Sequence, residues 1–417
     1  MTQVYSRRSK RAAVEDRISD LPRNVTNHIL GFLPVKEAAR TSILYKRWRH
    51  IWPMLPYLVL DNRFCKNLAG KSLSVFKETV DTILLQHLGV IDKFVLDVSG
   101  VHLPPYENID RWMLYATRNG VKDLTFKLSI ECSAYKLPSH VFNCLALTHL
   151  KLFNCVFKPP NSVLGFHNLT TLYLERITFV PVEFSIINAP LLMNLTMRYC
   201  DGTQHLSVVS SWLQYLSVFG IQYPNLNCFT NCNNLRVLHL DYSDMNYTPN
   251  HDERSTLEKL LFSLAPTHEL YLGSLFLKCH KVRTTSDNAQ AVLTYLGTPA
   301  CLDRPLNKLK HVIIHWFKDS KAELFLVKLL FARAPYLIRM SIEQAKASDS
   351  KEERHITTEL MRFPRASPKA ELFYLPSVLN STTPSRRTDL HQRKVCILRA
   401  SLLENASNSH QNCFIYV

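Results

Sequence analysis

Residues 147–174 read LTHLKLFNCVFKPPNSVLGFHNLTTLYL, and the stretch opens and closes on one pattern: Leu147, Leu150 and Leu152, then Leu169, Leu172 and Leu174. The same apolar spacing returns as Val121, Leu124 and Phe126, as Leu192, Leu195 and Met197, as Leu213, Leu216 and Val218, and as Leu235, Leu238 and Leu240. First positions of successive copies lie 26, 22, 23, 21 and 22 residues apart. The alternation at the end of each copy is that of a strand with one apolar face. A single strand of this length cannot hide that face, so stacked copies are needed to close a common core.

Such steps match leucine-rich repeats, each unit contributing a short parallel strand and a return segment to a solenoid. Degenerate copies extend the array at Ile91, Phe94 and Leu96, at Thr267, Leu270 and Leu272, and at Leu309, Val312 and Ile314, with room for inserted loops such as 243–256. Cys155 and Cys200 follow the third apolar position by three residues, where the repeat accepts Asn or Cys, which makes them structural thiols. Function belongs on the residues alternating outward. Their first row reads Thr125, Lys151, Tyr173, Thr196, Ser217, His239 and Tyr271; the second reads Lys127, Phe153, Glu175, Arg198, Phe219, Asp241 and Gly273. Lys151, Phe153, Tyr173, Thr196, Arg198, Phe219, His239 and Tyr271 form the candidate target-binding face, mixed polar and aromatic as recognition surfaces are. A merely solvated solenoid face is the competing reading.

Toward the N-terminus, residues 16–52 read DRISDLPRNVTNHILGFLPVKEAARTSILYKRWRHIW. Leu21, Val25, Ile29 and Leu33 recur every fourth residue from Pro22, which predicts an amphipathic helix with Asp20 beside its N-terminus. Pro34 separates it from a second helix ending near Thr41 and Ser42, and a third carries Leu44, Trp48, Ile51 and Trp52 up to Pro53. About 40 residues without disulfide or metal cannot bury that much apolar surface alone, so one side faces a partner. The order Leu21-Pro22, Val25, Ile29-Leu30, Leu33-Pro34, Arg40 to Leu44, then Lys46-Arg47-Trp48-Arg49 and Trp52 resembles a plant F-box. By that resemblance Leu21, Pro22, Val25, Ile29, Leu30, Leu33, Pro34 and Trp48 contact a Skp adaptor, with Leu44 and Trp52 packing the helices together.

Toward the C-terminus, LNKLKHVIIHWF, ELFLVKLLFARAPYLIRMSI and TTELMRFPRASPKAELFYL predict strand, amphipathic helix, strand and a short closing element over residues 306–375. Leu326, Leu329, Leu330 and Ala334 have helical spacing, and Pro335 ends the helix. Through Ala334-Pro335, Leu337 and Arg365-Ala366-Ser367-Pro368 this region resembles the FBD module of plant F-box proteins, read here chiefly as a cap on the last repeat. The expected organisation is a basic tail (1–14), F-box (15–55), leucine-rich repeats (56–305), FBD module (306–375) and a poorly ordered tail (376–417). The fold class is α/β: a three-helix F-box, then an irregular solenoid with a parallel β-sheet on its concave face, capped by the α/β module.

Composition narrows the function classes. Of the net charge of +16, residues 1–56 hold +7, 57–305 only +1, 306–375 +5 and 376–417 +3. The neutral middle lacks the clustered Lys and Arg of a phosphate groove, so nucleic acid is disfavoured as its ligand. Arg7, Arg8, Lys10 and Arg11 fit a solvated tail or a nuclear localisation signal. No membrane span or signal peptide is legible, which places the protein in nucleus or cytoplasm. Eleven scattered cysteines fit reduced thiols, and Cys228 with Cys232 lacks a second ligand pair for zinc. No cofactor is implied, and no phosphate loop, GxSxG elbow or HExxH helix occurs. The combined resemblance to plant F-box/FBD/LRR-repeat proteins implies a non-catalytic substrate receptor of a Skp/cullin/F-box ubiquitin ligase, joining an unknown target protein to the adaptor and cullin core. A scaffold that binds the adaptor without promoting ubiquitination is the alternative.

Overall fold

The structure, a computed structural model, describes residues 21–31, 33, 35–44, 51–103, 106–131, 135–159, 165–180, 185–203, 206–221, 232, 234–241, 264, 266–273, 305–345, 350–375 and 396–398. The chain divides into two compact units, Met1–Val180 and Pro181–Val417.

The first unit opens with α1 (Arg23–Gly31) and α2 (Val35–Leu44), followed by a 3-10 turn at Trp52–Met54. The Pro22 carbonyl starts α1, accepting the Val25 and Thr26 amides at 3.0 Å and the Thr26 hydroxyl at 3.1 Å. Thr26 and Leu30, four apart, form its buried side, and Leu30 packs with Ala38 and Leu55 under Ile51 and Trp52. Trp52 thus takes the packing role expected of it. α2 runs past the expected end near Thr41, because the buried Thr41 hydroxyl donates to the Ala38 carbonyl at 2.6 Å and stays within the helix. Of the third helix expected from Leu44 to Trp52, residues 45–50 lie outside the described residues, while Leu44 ends α2 and Trp52 opens the 3-10 turn.

Next come β1 (Tyr57–Leu60), α3 (Asn62–Ala69), α4 (Leu73–Gln86), β2 (Lys93–Val98), α5 (Glu107–Arg118) and β3 (Asp123–Leu128). Asp61 caps α3 by accepting the Phe64 amide at 2.8 Å, and Ser72 caps α4 by accepting the Ser74 amide at 3.2 Å. The unit continues through β4 (Tyr135–Lys136), α6 (Ser139–Phe142), β5 (His149–Phe153), β6 (Cys155–Phe157), β7 (Thr171–Glu175) and β8 (Thr178–Phe179). β1, β2, β3, β5 and β7 pair in parallel and in register, aligning Leu58, Phe94, Leu124, Leu150 and Leu172 in one buried row. Leu60, Leu96, Phe126, Leu152 and Leu174 form a second. β4, β6 and β8 make a small parallel sheet of their own.

In the second unit β9 (Ser185–Asn188) pairs with β11 (Leu206–Val209), while β10 (Asn194–Arg198), β12 (Tyr215–Phe219), β13 (Val237–Asp241) and β14 (Glu269–Gly273) continue the repeat pattern. β15 (His311–Phe317), α7 (Lys321–Arg333), β16 (Arg339–Gln344), α8 (Ser350–Met361) and β17 (Glu371–Leu375) follow. The register carries straight through: Leu195, Leu216, Leu238, Leu270, Val312, Met340 and Leu372 align as one buried row. The stretch 306–375 therefore prolongs the parallel sheet, and its closing element is a helix plus a full strand. Its motif residues serve the packing: Arg365 donates to the Ala370 carbonyl (2.8 Å) with its guanidinium 4.9 Å from the Phe331 ring, and the buried Ser367 hydroxyl donates to the Leu337 carbonyl (2.7 Å). Part of the expected tail is structured, since β18 (Cys396–Leu398) pairs antiparallel with β17; its other residues lie outside the described ones.

Several strands end on a residue with positive φ: Asn154 (57°), Arg176 (55°), Tyr199 (50°) and Gly220 (65°). This turns the chain out of the sheet while its amide still reaches the next strand, as Tyr199 N–H does to the Phe219 carbonyl (2.8 Å) and Gly220 N–H to the Asp241 carbonyl (2.7 Å). At Gly220 a Cβ would also lie 2.4 Å from the Tyr199 ring. Gly220→Ala should therefore cost about 1–2 kcal/mol, read as a lowered thermal midpoint; an unchanged midpoint would contradict this role.

Candidate functional site

Two surfaces stand out, one in each kind of architecture. On α1, Val25 (37% exposed) and Ile29 (39%) share a helix face, and Leu33 (37%) extends it beyond the helix end. Pro22 is exposed and Leu21 half-buried beside them. Leu30 is not part of this surface. At 1% exposure it lies in the helix core, one residue and about 100° around from Ile29, which corrects its placement among the adaptor contacts. Pro34 and Trp48 lie outside the described residues. Ile43, 80% exposed on α2, was missed, although it falls off the Val35, Ala38, Thr41 spacing that the helix buries.

This stripe is anchored to the strands behind it. α2 packs against β1, the Leu55 carbonyl lies 2.9 Å from His87 Nε2, and the Leu88 amide donates to the Pro53 carbonyl at 2.7 Å. Burial holds the His87 pKa below its ordinary value, so the ring is neutral at this junction.

The outward rows form the second surface, considered unit by unit. In the first unit Lys151, Phe153 and Tyr173 are half-buried on the sheet face. Lys127 Nζ lies 4.7 Å from the Phe153 ring centre and 3.6 Å from the Asp97 carboxylate. Phe153 and Tyr173 stack with ring centres 5.2 Å apart, and the Tyr173 hydroxyl donates to the Glu175 carboxylate. Lys127 and Glu175 thus both have partners within this face.

In the second unit Thr196, Arg198, Phe219, His239 and Tyr271 are half-buried. The Arg198 guanidinium lies 5.0 Å from the Phe219 ring, Tyr199 meets Phe219 edge-on at 5.2 Å, and the His239 and Tyr271 rings are 5.5 Å apart. The Tyr271 hydroxyl donates to Glu269 at 3.0 Å. Thr125 and Ser217, expected to point into solvent, are buried. Each is a small side chain overshadowed by larger register neighbours, Val95 and Lys151 for one, Thr196 and His239 for the other. The surface also extends beyond the expected rows to His315 and Glu343, whose Nδ1 and Oε2 are 2.8 Å apart. The Leu309–Ile314 motif located that strand, and carrying the outward row one position further reaches His315.

Burial pushes the Cys65 thiol up to about 12 and Cys232 to about 11, and raises Cys155 as well. Among the described residues no group of three or more His, Cys, Asp or Glu side chains could hold a metal ion, and no helix is long and apolar enough to cross a membrane.

Comparison with known proteins agrees with this division. Residues 18–60 match the F-box domain family, and residues 83–246 match the family described as At1g61320/AtMIF1, LRR domain. The chain carries an F-box followed by leucine-rich repeats. It is 29% identical to the F-box/FBD/LRR-repeat protein At1g13570 of Arabidopsis thaliana, over 86% of this chain and 98% of that one. It is 38% identical to the F-box/LRR-repeat protein At4g14103 of the same organism, over 39% of this chain and 43% of the relative. Identity to its FBD-associated F-box protein At4g10400 is 30%, over 51% and 55% of the two chains.

Burial, then the charges of His315 and Arg198, hold His239 at about 4 rather than the ordinary 6.5. The folded chain keeps this imidazole neutral where the unfolded chain is already protonated, so stability is lost as pH falls from 6.5 toward 4. His87, His140 and His311 shift in the same direction. His239→Gln should therefore show a smaller fall in thermal midpoint between pH 7 and pH 5; a fall equal to the parent's would refute the neutral imidazole.

Proposed function

We propose that this F-box/leucine-rich-repeat chain is the substrate-recognition subunit of a Skp/cullin/F-box ubiquitin ligase. The observation that carries the reading is the exposed apolar stripe of Val25, Ile29 and Leu33 beside Pro22, on a helix whose other side is fully used by the Leu30 core. An exposed apolar helix face rimmed by polar residues is a partner site, and in an F-box the partner is a Skp-type adaptor. The outward rows of the sheet hold the target. The chain supplies no bond chemistry. It tethers the target lysine near ubiquitin carried by a conjugating enzyme on the cullin core, and the resulting effective concentration supplies the rate. Nucleus and cytoplasm are the compartments in which it would act.

Ile29→Asp with Leu33→Asp should weaken adaptor binding at least about thirtyfold, equivalent to about 2 kcal/mol, while lowering the thermal midpoint less than a change at Leu30 does, because both side chains are far more exposed than Leu30. Leu30→Ala should instead lower the midpoint, since it opens a cavity in the helix core. Adaptor affinity unchanged in the double variant, measured by calorimetry, would overturn the assignment. Reconstitution with cullin and conjugating enzyme separates a ligase receptor from an adaptor-bound scaffold by the presence of ubiquitin on bound proteins.

A further inference from the structure

The parallel sheet of the second unit ends at β17. On one side all five residues from Glu371 to Leu375 are in register with β16. On the other side lie Cys396, Ile397 and Leu398 of β18, opposite Tyr374, Phe373 and Leu372. Every other strand pair among the described residues is parallel, whereas this one is antiparallel. A further repeat would have added a parallel strand, so β18 is not one more copy of the repeat. It comes from the tail, after the 20 residues 376–395.

Because the stretch 306–375 prolongs the sheet, its last strand needs closing in turn. β17 reads Glu-Leu-Phe-Tyr-Leu, one charge in five residues, and its inward pair Leu372 and Tyr374 is 0% exposed. An uncovered edge offers its N–H and C=O groups to any strand that can align with it, and apolar composition with little charge strengthens that tendency. A second copy of β17 is such a strand. A two-fold axis sets the same edge of two copies antiparallel, which is the direction in which β17 already accepts β18. Centred on Phe373, the pairing sets Phe373 opposite Phe373, Leu372 opposite Tyr374 and Glu371 opposite Leu375. Inward and outward side chains then stay on their own faces and no like charges meet.

β18 has the features of a strand that ends a sheet. It is three residues long, and in sequence Arg393 and Lys394 precede it while Arg399 follows it. Short length and charged flanks keep an edge strand from recruiting another. We propose that residues 396–398 close the β17 edge and so keep the chain from joining a second copy of itself edge to edge. The covered edge is a latent self-association surface, and its partner is β17 of another molecule. Tethering gives β18 the advantage, since its effective concentration at β17 exceeds that of a second chain in dilute solution. The inference stands apart from the adaptor and target readings above.

The test uses the full-length chain carrying Ile397→Pro and Leu398→Pro together. Successive N–H groups of a strand point to opposite sides, so one of the two prolines removes a donor aimed at β17. Mass is followed by light scattering over a concentration series. The double variant should reach twice the mass of the parent as concentration rises. Adding Leu375→Glu, at a half-buried strand end, would oppose a second carboxylate to Glu371 of the other copy and should return the mass to the parental value. If the double variant does not fold, the two prolines are introduced singly, and the one whose N–H faces β17 should dimerise. A mass that the prolines leave unchanged, together or singly, would overturn the inference, as would a dimer that persists with Leu375→Glu. Open-ended aggregation would overturn it too, because pairing of one edge about a two-fold axis closes at two copies.

Discussion

In-register parallel pairing is the constraint on which the rest of the structure depends. A strand of five or six residues, apolar on one face, gains little by itself; it is held when Leu238 aligns with Leu216 on one side and Leu270 on the other. Truncating one such leucine to alanine typically costs about 2–5 kcal/mol, so the row sets the register firmly. Because side chains alternate, a slip of one residue would drive Tyr271 and His239 inward and expose the leucines. The position of every outward residue, and hence the proposed recognition surface, follows from the packing of the row behind it.

The F-box obeys the opposite logic. Its two described helices bury only a narrow side, Thr26 and Leu30 against Ala38, and leave Val25, Ile29 and Leu33 exposed. An exposed apolar helix face of that kind is what the proposed adaptor contact would cover. Leu55 joins the helix core, and the His87 contact to its carbonyl ties that core to the strands that follow. A receptor that works by tethering needs this stiffness, since effective concentration collapses when a linker wanders. The described residues of the first unit show such a junction rather than a loose connection.

Much of this was legible in the chain itself, for identifiable reasons. Leu-x-x-Leu-x-Leu is a local pattern with a steric cause, and it located β2, β3, β5, β7, β10 and β12 to β15. β1 escaped because Tyr57–Leu60 is a lone apolar run with no copy before it, and α3 to α5 because the repeat period offers no hint of helical returns near its start. Leu30 and Ile29 are chemically alike; only the position of Ala38 and Leu55 decides which faces inward. Thr125 and Ser217 alternate outward as expected yet are buried by neighbours distant in sequence. Asp241 and Gly273 could be placed on the outward row from sequence, but that one carboxylate lies across the other's missing side chain depends on register between strands separated by a long insertion.

Amide hydrogen exchange on the full-length chain, with and without a Skp adaptor, tests the division of labour most directly. The expected result is slowed exchange within residues 23–44 and unchanged exchange in the strands from 194 to 375, because the adaptor covers the α1 stripe and leaves the sheet face open for a target. Protection of the sheet strands with no change in residues 23–33 would contradict it.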